Sequence, residues 1–439
     1  MNDKKQIFGW AMYDWANSAF ITTVSVALLP VFFSKVVVGN DGFVIAGCVF
    51  KAMTLWAWMI GFAAFIVFLF APVLGAIADF SSSKKKFLMV FCYGGCLFTV
   101  LLIFCGTGDV WLTMVLFVIA QIGFVAANVF YDAFLPQIAS EDKLDWISGK
   151  GFAYGYIGGG LQLALSLGLI AGHDSIGISE MTAIRIAIAF TGLWWAGFSV
   201  ITFITLKESS TIEFMPESYR NMNNLMAYTA IGITRIVNTA KKIRNFKHLL
   251  LFLIAFMIYN DGIQTVIRLS TVYGSTEIGI SDKDLMITLL LIQFIAIFGS
   301  LLFGKLGEKF SAKKALMVTL LLWSFVVIYA YFMTTTLEYY FLGGIVGIAM
   351  GGSQSLSRSL YGSMIPTKAT AEFYGFYSVF SKFSAIWGPL VFGVINILAG
   401  SSRQAILSLI GFFIVGLVLL SLVDVDKARK AKTSELFSM

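Results

Sequence analysis

Charge is what this chain has least of. Only 13% of its 439 residues are Asp, Glu, Lys or Arg, where a soluble domain carries about 25%. Hydrophobic residues make up 58%, and mean hydropathy is +0.85. That balance excludes a soluble globular protein and describes a polytopic helical membrane protein. Histidine is almost missing: His173 and His248 each fall near the end of an apolar stretch, which argues against His-ligated metal chemistry. Four cysteines make no disulfide framework, and Cys92 and Cys96, on one helix face, have no histidine near them to complete a metal site. No Gly-x-x-x-x-Gly-Lys loop and no nucleotide domain occur, which argues against ATP-driven pumping by this chain alone. No catalytic constellation occurs either, so neither enzyme activity nor a cofactor is expected. Six prolines and 42 phenylalanines suit a chain whose solvent is mostly hydrocarbon.

Against that background one carboxylate stands out. Asp14, in YDWANSAF (13–20), lies inside the first long apolar span. A charge at such depth costs roughly 2.5–3.5 kcal/mol on insertion scales, so it faces a protein interior or a wet cavity. A polar pathway through the membrane is the expectation, with a structural ion pair as the alternative.

A span needs about 20 apolar residues, and twelve are predicted, near 7–34, 54–78, 87–106, 110–134, 150–172, 183–206, 248–272, 285–307, 314–334, 338–363, 372–398 and 403–423. The stretch 35–53 reads as a loop around Gly39-Asn40-Asp41-Gly42, with apolar residues following it. MNDKK and the apolar run after it are too long for a signal segment and lack a small-residue cleavage site, so they read as a retained first helix.

The formal charge of +7 resides in the connections rather than on one face. It bears on topology and anionic lipid headgroups, not on nucleic acid. Alternate connections hold Lys4 and Lys5, Lys84 to Lys86, Lys143 and Lys150, the stretch from Arg220 to Lys247, Lys309, Lys313 and Lys314, Lys368, and Lys427 to Lys432. The other set offers little beyond Lys35, Lys51, Arg185, Lys283 and Arg403. That asymmetry places both termini in the cytoplasm. The expected domains are an N-terminal six-helix half (1–206), a basic cytoplasmic linker (207–247), a C-terminal six-helix half (248–423) and a cytoplasmic tail (424–439).

The halves look duplicated. GAIADFSSSKKK (75–86), between spans two and three, matches GKLGEKFSAKKA (304–315), between spans eight and nine. Tyr131 precedes Pro136 in span four as Tyr361 precedes Pro366 in span ten, which sets Asn128 opposite Arg358 in register. Tyr13-Asp14 in span one has its counterpart in Tyr259-Asn260-Asp261-Gly262 of span seven. The offsets, about 230–247 residues, come in the same order each time. Two parallel six-helix repeats are the plan of major facilitator transporters.

The Gly-x-x-x-Asp loop with its lysines resembles the signature loop of the major facilitator superfamily, with Gly75, Asp79 and Lys84 to Lys86 in those roles, although Phe80 stands where a basic residue usually follows the acid. YDWANSAF in span one, GGSQSLSRSLYGSMIP (351–366) in span ten and AEFYGFY (371–377) opening span eleven resemble the vacuolar amino-acid effluxers of autophagy and their bacterial relatives. The resemblance covers nearly the whole chain. It implies an all-α major facilitator fold of twelve transmembrane helices, a cavity lined by spans one, four, seven and ten, transport of a small solute, and a monomer. Short loops without organelle-type extensions point to a bacterial inner membrane.

The intramembrane polar residues fall largely on those four spans. At 1.5 Å per residue Asp14 lies about 10 Å into its helix and Asp261 about 20 Å. Arg358 can hold a carboxylate in its guanidinium fork; Asp14, between Trp10 and Trp15, can take an ammonium with cation–π support. The candidate substrate ligands are Asp14, Trp15, Asn17, Asn128, Asp132, Arg358 and Lys382. The alternative for Arg358 is an ion pair with Asp132 across the halves; for Lys382, a partner acid across the halves. Asp14 and Asp261 are the candidates for proton coupling, with a structural hydrogen-bonding role as the alternative for Asp261. Asp79, Lys84, Lys85, Glu308 and Lys313 are assigned to a gate that latches the cytoplasmic face, with a topology determinant as the alternative for Asp79 and Glu308. The expected function is secondary transport of a small polar or zwitterionic solute, an amino acid by preference, outward and proton-coupled. A hydrophobic or lipid-like substrate, or a sensor or scramblase on the same fold, is the alternative. Partners are the solute, membrane lipids and protons.

Overall fold

The computed structural model describes residues 1–39, 41–208, 219, 222–243, 246–384 and 387–432. It is a helical bundle. Spans one to six are Lys4–Val38, Ala52–Phe80, Lys84–Phe104, Val110–Ile138, Leu144–Ala171 and Glu180–Thr205. Spans seven to ten are Lys247–Ile278, Asp282–Lys309, Ala312–Phe332 and Thr336–Met364. Span eleven is two helices, Thr370–Phe383 and Trp387–Ala399, and span twelve covers Ser402–Ser421. Among the described residues eleven helices are apolar and long enough to cross a membrane. Span ten, at 29 residues, has the length, about 43 Å, but its Gly-Ser-Gln-Ser-Arg composition is too polar to qualify alone. It is the most buried of the late helices; its serine hydroxyls donate to carbonyls of the helix itself, and Gln354 and Arg358 find partners in neighbouring spans.

Most spans are somewhat longer than expected. Spans one and seven gain most; span one continues to Val38 through two π-helical stretches, Phe20–Leu28 and Phe33–Val38, on either side of Pro30, and span seven to Ile278. The loop expected at 35–53 is instead the end of that helix plus a small hairpin, Phe43–Ile45 against Cys48–Phe50, turned by Ala46 and Gly47 at φ 50° and 82°. Within the linker, a helix at Asn224–Ile243 lies along span two, where Gly232 meets Val73 and Ile77. Most of 209–221, with residues 244 and 245, lies outside the described residues, as do 433–439 of the tail.

The bundle seals at the end that carries both termini. There span two crosses span eleven and span five crosses span eight, each through glycine. A Cβ on Gly75 would stand 2.4 Å from Ala371 O, and one on Gly149 would stand 2.5 Å from Ser300 O. Gly375 against Pro72 and Gly304 against Asp145 O complete the same pattern in the duplicated positions. The inner helix of span eleven packs mainly along span two and also on spans four and seven, and the outer helix packs on the start of span twelve and on span seven. Leu390, Ile397 and Leu398 on that outer helix are exposed. Gly75→Val should cost about 1–3 kcal/mol of stability, because the obstacle is backbone that cannot rotate away. Gly94→Val, with nothing within 4 Å of its Cβ, should leave the unfolding midpoint in detergent unchanged.

Candidate functional site

Helical spacing decides which side chains of span one reach the interior. Trp10, Asp14 and Asn17 stand at i−4, i and i+3 and share one face. From span four, Tyr131 and Asp132 meet them; from span ten, Arg358. The Arg358 side chain is buried, at 3% exposure, and threads between the halves. Its Nη1 donates to Asp14 Oδ2 and to Asp132 Oδ1, both at 3.2 Å. Its Nε donates to Ser148 Oγ at 3.0 Å, and Nη2 to Ser148 O at 2.9 Å, on span five. The guanidinium lies over Phe152, Trp10 and Tyr131, with centroids at 4.0, 4.8 and 5.5 Å. Tyr131 donates its hydroxyl to Asp14 Oδ2 at 2.8 Å, and Trp10 donates Nε1–H to Tyr131 O at 3.0 Å.

One arginine therefore joins three spans of the first half to span ten. Removing one partner of a buried ion pair strands the other, at about 3–5 kcal/mol. The pairing foreseen as an alternative, Arg358 with Asp132, is present. Arg358 is engaged along Nε and Nη1, so in this conformation those edges do not offer a fork to a solute carboxylate. Two carboxylates share this single cation, and Asp132 keeps 18% of its side-chain surface accessible.

The polar contacts that join the halves run from the terminus-bearing end to mid-depth. Nearest that end, the Glu372 N–H donates to Asp79 Oδ2 at 2.8 Å, and Lys143 pairs with Glu308. Lys432, on the tail helix Val425–Lys432, pairs with Glu141. Deeper, Tyr156 OH reaches Gln354 Oε1 at 2.7 Å, and Gln293 Nε2 reaches Thr22 Oγ1 at 3.3 Å.

The remaining expected site residues divide. Asn17 Nδ2 donates to Asn128 Oδ1 at 2.6 Å, joining spans one and four just above Asp14. Trp15 does not join them. It sits about 100° around the helix from Asp14 and stacks on Trp194 of span six at 6.0 Å, away from the arginine. Trp10 is the tryptophan at the site, and its ring covers Arg358 itself. Asp79 and Glu308 bond across the halves, and Lys84 supports Asp79 at 2.8 Å. Lys85 and Lys313 do not cross: Lys85 Nζ donates to Leu206 O at 2.9 Å, and Lys313 Nζ to Ser421 O and Val423 O, both at 2.7 Å. Each holds the carbonyl end of the last helix in its own half, where a cation suits the helix dipole. Lys382 is half-buried and forms no ion pair among the described residues; the charge acting on it is Arg268 of span seven. Asp261 is held by backbone N–H groups of span eleven rather than by a cation.

Ser148, Phe152, Tyr156 and Gln354 were not foreseen. Spans five and ten carry them, and a lone Ser or Phe among so many gives no sequence signal.

The match to known proteins bears on the whole of this arrangement. Residues 2–433 match the family described as vacuole effluxer Atg22 like. The chain belongs to the Atg22-like family. Across 422 residues, 95% of each chain, this member is 36% identical to the uncharacterized MFS-type transporter YxiO of Bacillus subtilis. It is 24% identical to autophagy-related protein 22 of Coccidioides immitis, over 81% of this chain and 70% of that one. Its fold is that of the major facilitator superfamily. The proton:xylose symporter XylE superposes with a TM-score of 0.68 at 12% identity, covering 96% of this chain and 94% of that one. The E. coli fucose:proton symporter FucP does so equally well, at 0.68 and 12%, over 96% and 98%. This Atg22-like protein is an integral membrane transporter.

Arg358→Ala should lower the unfolding free energy by about 3–5 kcal/mol, measured by denaturant titration in mixed micelles. Adding Asp14→Asn and Asp132→Asn should restore a large part of it, because the stranded charges are then gone.

Proposed function

We propose that this protein moves a small zwitterionic solute, an amino acid by preference, out of the cell by alternating access. The observation that carries the reading is the shared cation: Asp14 and Asp132 converge on one guanidinium, so the cluster keeps a negative charge to spare, on the partly accessible Asp132. A solute ammonium answers that charge. When the halves part at the terminus-bearing end, Arg358 leaves Asp14 and Asp132, and its fork becomes free for a carboxylate. The same charges then serve the closed gate in one state and the solute in the other. A protein that binds its solute only by giving up an internal ion pair also has a reason to stay shut when empty.

In this reading the terminus-bearing end faces the cytoplasm of a bacterium, as the lysine asymmetry suggests, and the conformation described is closed to it. Asp79 with Glu372, and Glu308 with Lys143, form the latch that breaks when the cytoplasmic side opens. Freed from arginine, Asp14 is placed to carry a proton, and coupling to the proton gradient follows. The transporter works as a monomer, with membrane lipids around it.

The test is counterflow in liposomes loaded with a labelled amino-acid mixture. Wild type should exchange label. Asp14→Asn and Arg358→Lys should lose at least about tenfold in rate, since the lysine cannot bridge two carboxylates and the serine together. Trp15→Phe should exchange normally. Absence of exchange by wild type removes amino acids as the solute; near-native exchange by Arg358→Lys removes the arginine from the pathway.

A further inference from the structure

Span eleven is interrupted at mid-depth. Its inner helix, Thr370–Phe383, closes on Ser384, whose N–H bonds Phe380 O at 3.0 Å, and its outer helix is described from Trp387 onward. A helix N-terminus inside a membrane presents N–H groups with no carbonyl of its own helix and little water to reach. Span seven supplies the missing acceptors. The Trp387 N–H donates to Asp261 Oδ2 at 3.0 Å and the Gly388 N–H to Asp261 Oδ1 at 2.8 Å. One residue earlier on span seven, Asn260 donates to Ser384 Oγ, at the end of the inner helix. Two successive side chains of one span thus hold both sides of the interruption.

The fit is close. Asp261 is 1% exposed, and a Cβ on Gly388 would stand 2.0 Å from Thr265 Oγ1 and 2.8 Å from Asp261 Oδ1. An ionised carboxylate is acceptor-only and matches two N–H donors; protonated, it would turn an O–H against one of them. The negative charge also suits the positive end of the outer helix. The charged groups around it are Arg268, two turns along the same span, and Lys382 of the inner helix, which feels Arg268. Span twelve packs this turn of span seven at Gly262 with Phe412 and Phe413, which do not titrate.

We propose that Asn260 and Asp261 are positioning residues for transport: Asp261 ties the outer helix of span eleven to span seven and Asn260 holds the end of the inner helix beside it, so that the outer helix and span seven form one wall of the cavity, and the Asp261 tie holds only while that carboxylate is ionised. The inner helix packs chiefly on span two, through Gly75 and Gly375, and also meets span seven where Tyr377 stacks on Phe256 at 4.4 Å, while the outer helix packs on span seven and the start of span twelve. Protonating one carboxylate therefore changes the width of the end opposite the termini without touching Arg358. The proposal rests on the transporter reading for its purpose, but not for its geometry.

Two measurements on the full chain in lipid nanodiscs test it, neither requiring the solute. The first is amide exchange at Trp387 and Gly388. Asp261→Asn, which puts an N–H against N–H as the protonated acid would put an O–H, should speed their exchange at least about tenfold, the scale of one charge-assisted hydrogen bond. Asp261→Glu should recover most of the protection, and unchanged exchange across 52–80 and 370–383 shows that the fold is intact. The second is pulsed electron paramagnetic resonance with spin labels at Trp58 of span two and Val394 of the outer helix. Wild type at low pH should converge on the distance distribution of Asp261→Asn, which should itself not respond to pH. Unchanged exchange in a folded Asp261→Asn overturns the tie; a distribution that ignores both the substitution and pH overturns its positioning role. Failure of amino-acid counterflow by wild type leaves both readouts standing, so the two readings fail separately.

Discussion

Everything at the sealed end of this bundle depends on where a guanidinium can be put in hydrocarbon. Arg358 could not stay charged among lipid tails, and it does not have to: Asp14, Asp132 and Ser148 take its donors, and three aromatic rings close over its faces. Those partners come from spans one, four and five, while the arginine comes from span ten. This one side chain therefore joins three spans of the first half to span ten, and the glycine crossings beside it let the backbones come close enough for the contact. Gly149, one residue past Ser148, is the case in point: the serine that receives Arg358 is on the turn where spans five and eight touch.

The duplicated halves keep the same mechanical parts and differ in charge. In both, the lysine after the acidic loop secures the end of the last helix, as Lys85 does for span six and Lys313 for span twelve. In both, glycine carries the crossing. The acids of the two loops diverge: Asp79 accepts a backbone N–H at the start of span eleven, whereas Glu308 meets the side chain of Lys143. A hydrogen bond to backbone has one geometry, while a lysine–carboxylate pair at the surface is loose and screened. The two seals thus differ in stiffness, and the span two–span eleven crossing is the firmer hinge.

How much of this was readable in the residues follows from what each feature needs. Spans are set by runs of apolar residues, so their number and order were legible, including span ten, whose length and place in the repeat outweighed its polarity. Asp14, Asp132 and Arg358 were legible because charge in hydrocarbon demands a partner. Trp15 was assigned to the wrong side because adjacency in sequence is not adjacency on a helix; Trp10, a full turn from Asp14, has the right bearing. Lys85 and Lys313 looked like latch residues because a basic cluster beside an acid suggests pairing, and nothing local distinguishes that from capping a helix distant in sequence. The interruption of span eleven was half visible: Trp387-Gly388-Pro389 reads as close packing, and only its contact with Asn260-Asp261 reveals a helix start.

The two intramembrane carboxylate sites meet the same constraint by different routes, and the difference gives them different work. Asp14 and Asp132 are balanced by a mobile partner on the other half, so their balance breaks when the halves separate and something else must supply the cation. Asp261 is balanced by the backbone of a helix in its own half, so rocking of the halves leaves it satisfied and only a proton disturbs it. In the proposed mechanism the charges held across the interface answer to solute and, at Asp14, to a proton once the arginine leaves, while Asp261, held within one half, answers to a proton without the arginine moving. A transporter that couples the two uses both kinds, each able to change without the other, and the separation lies in the partners: Asp261 bonds span eleven, whereas Arg358 bonds spans one, four and five.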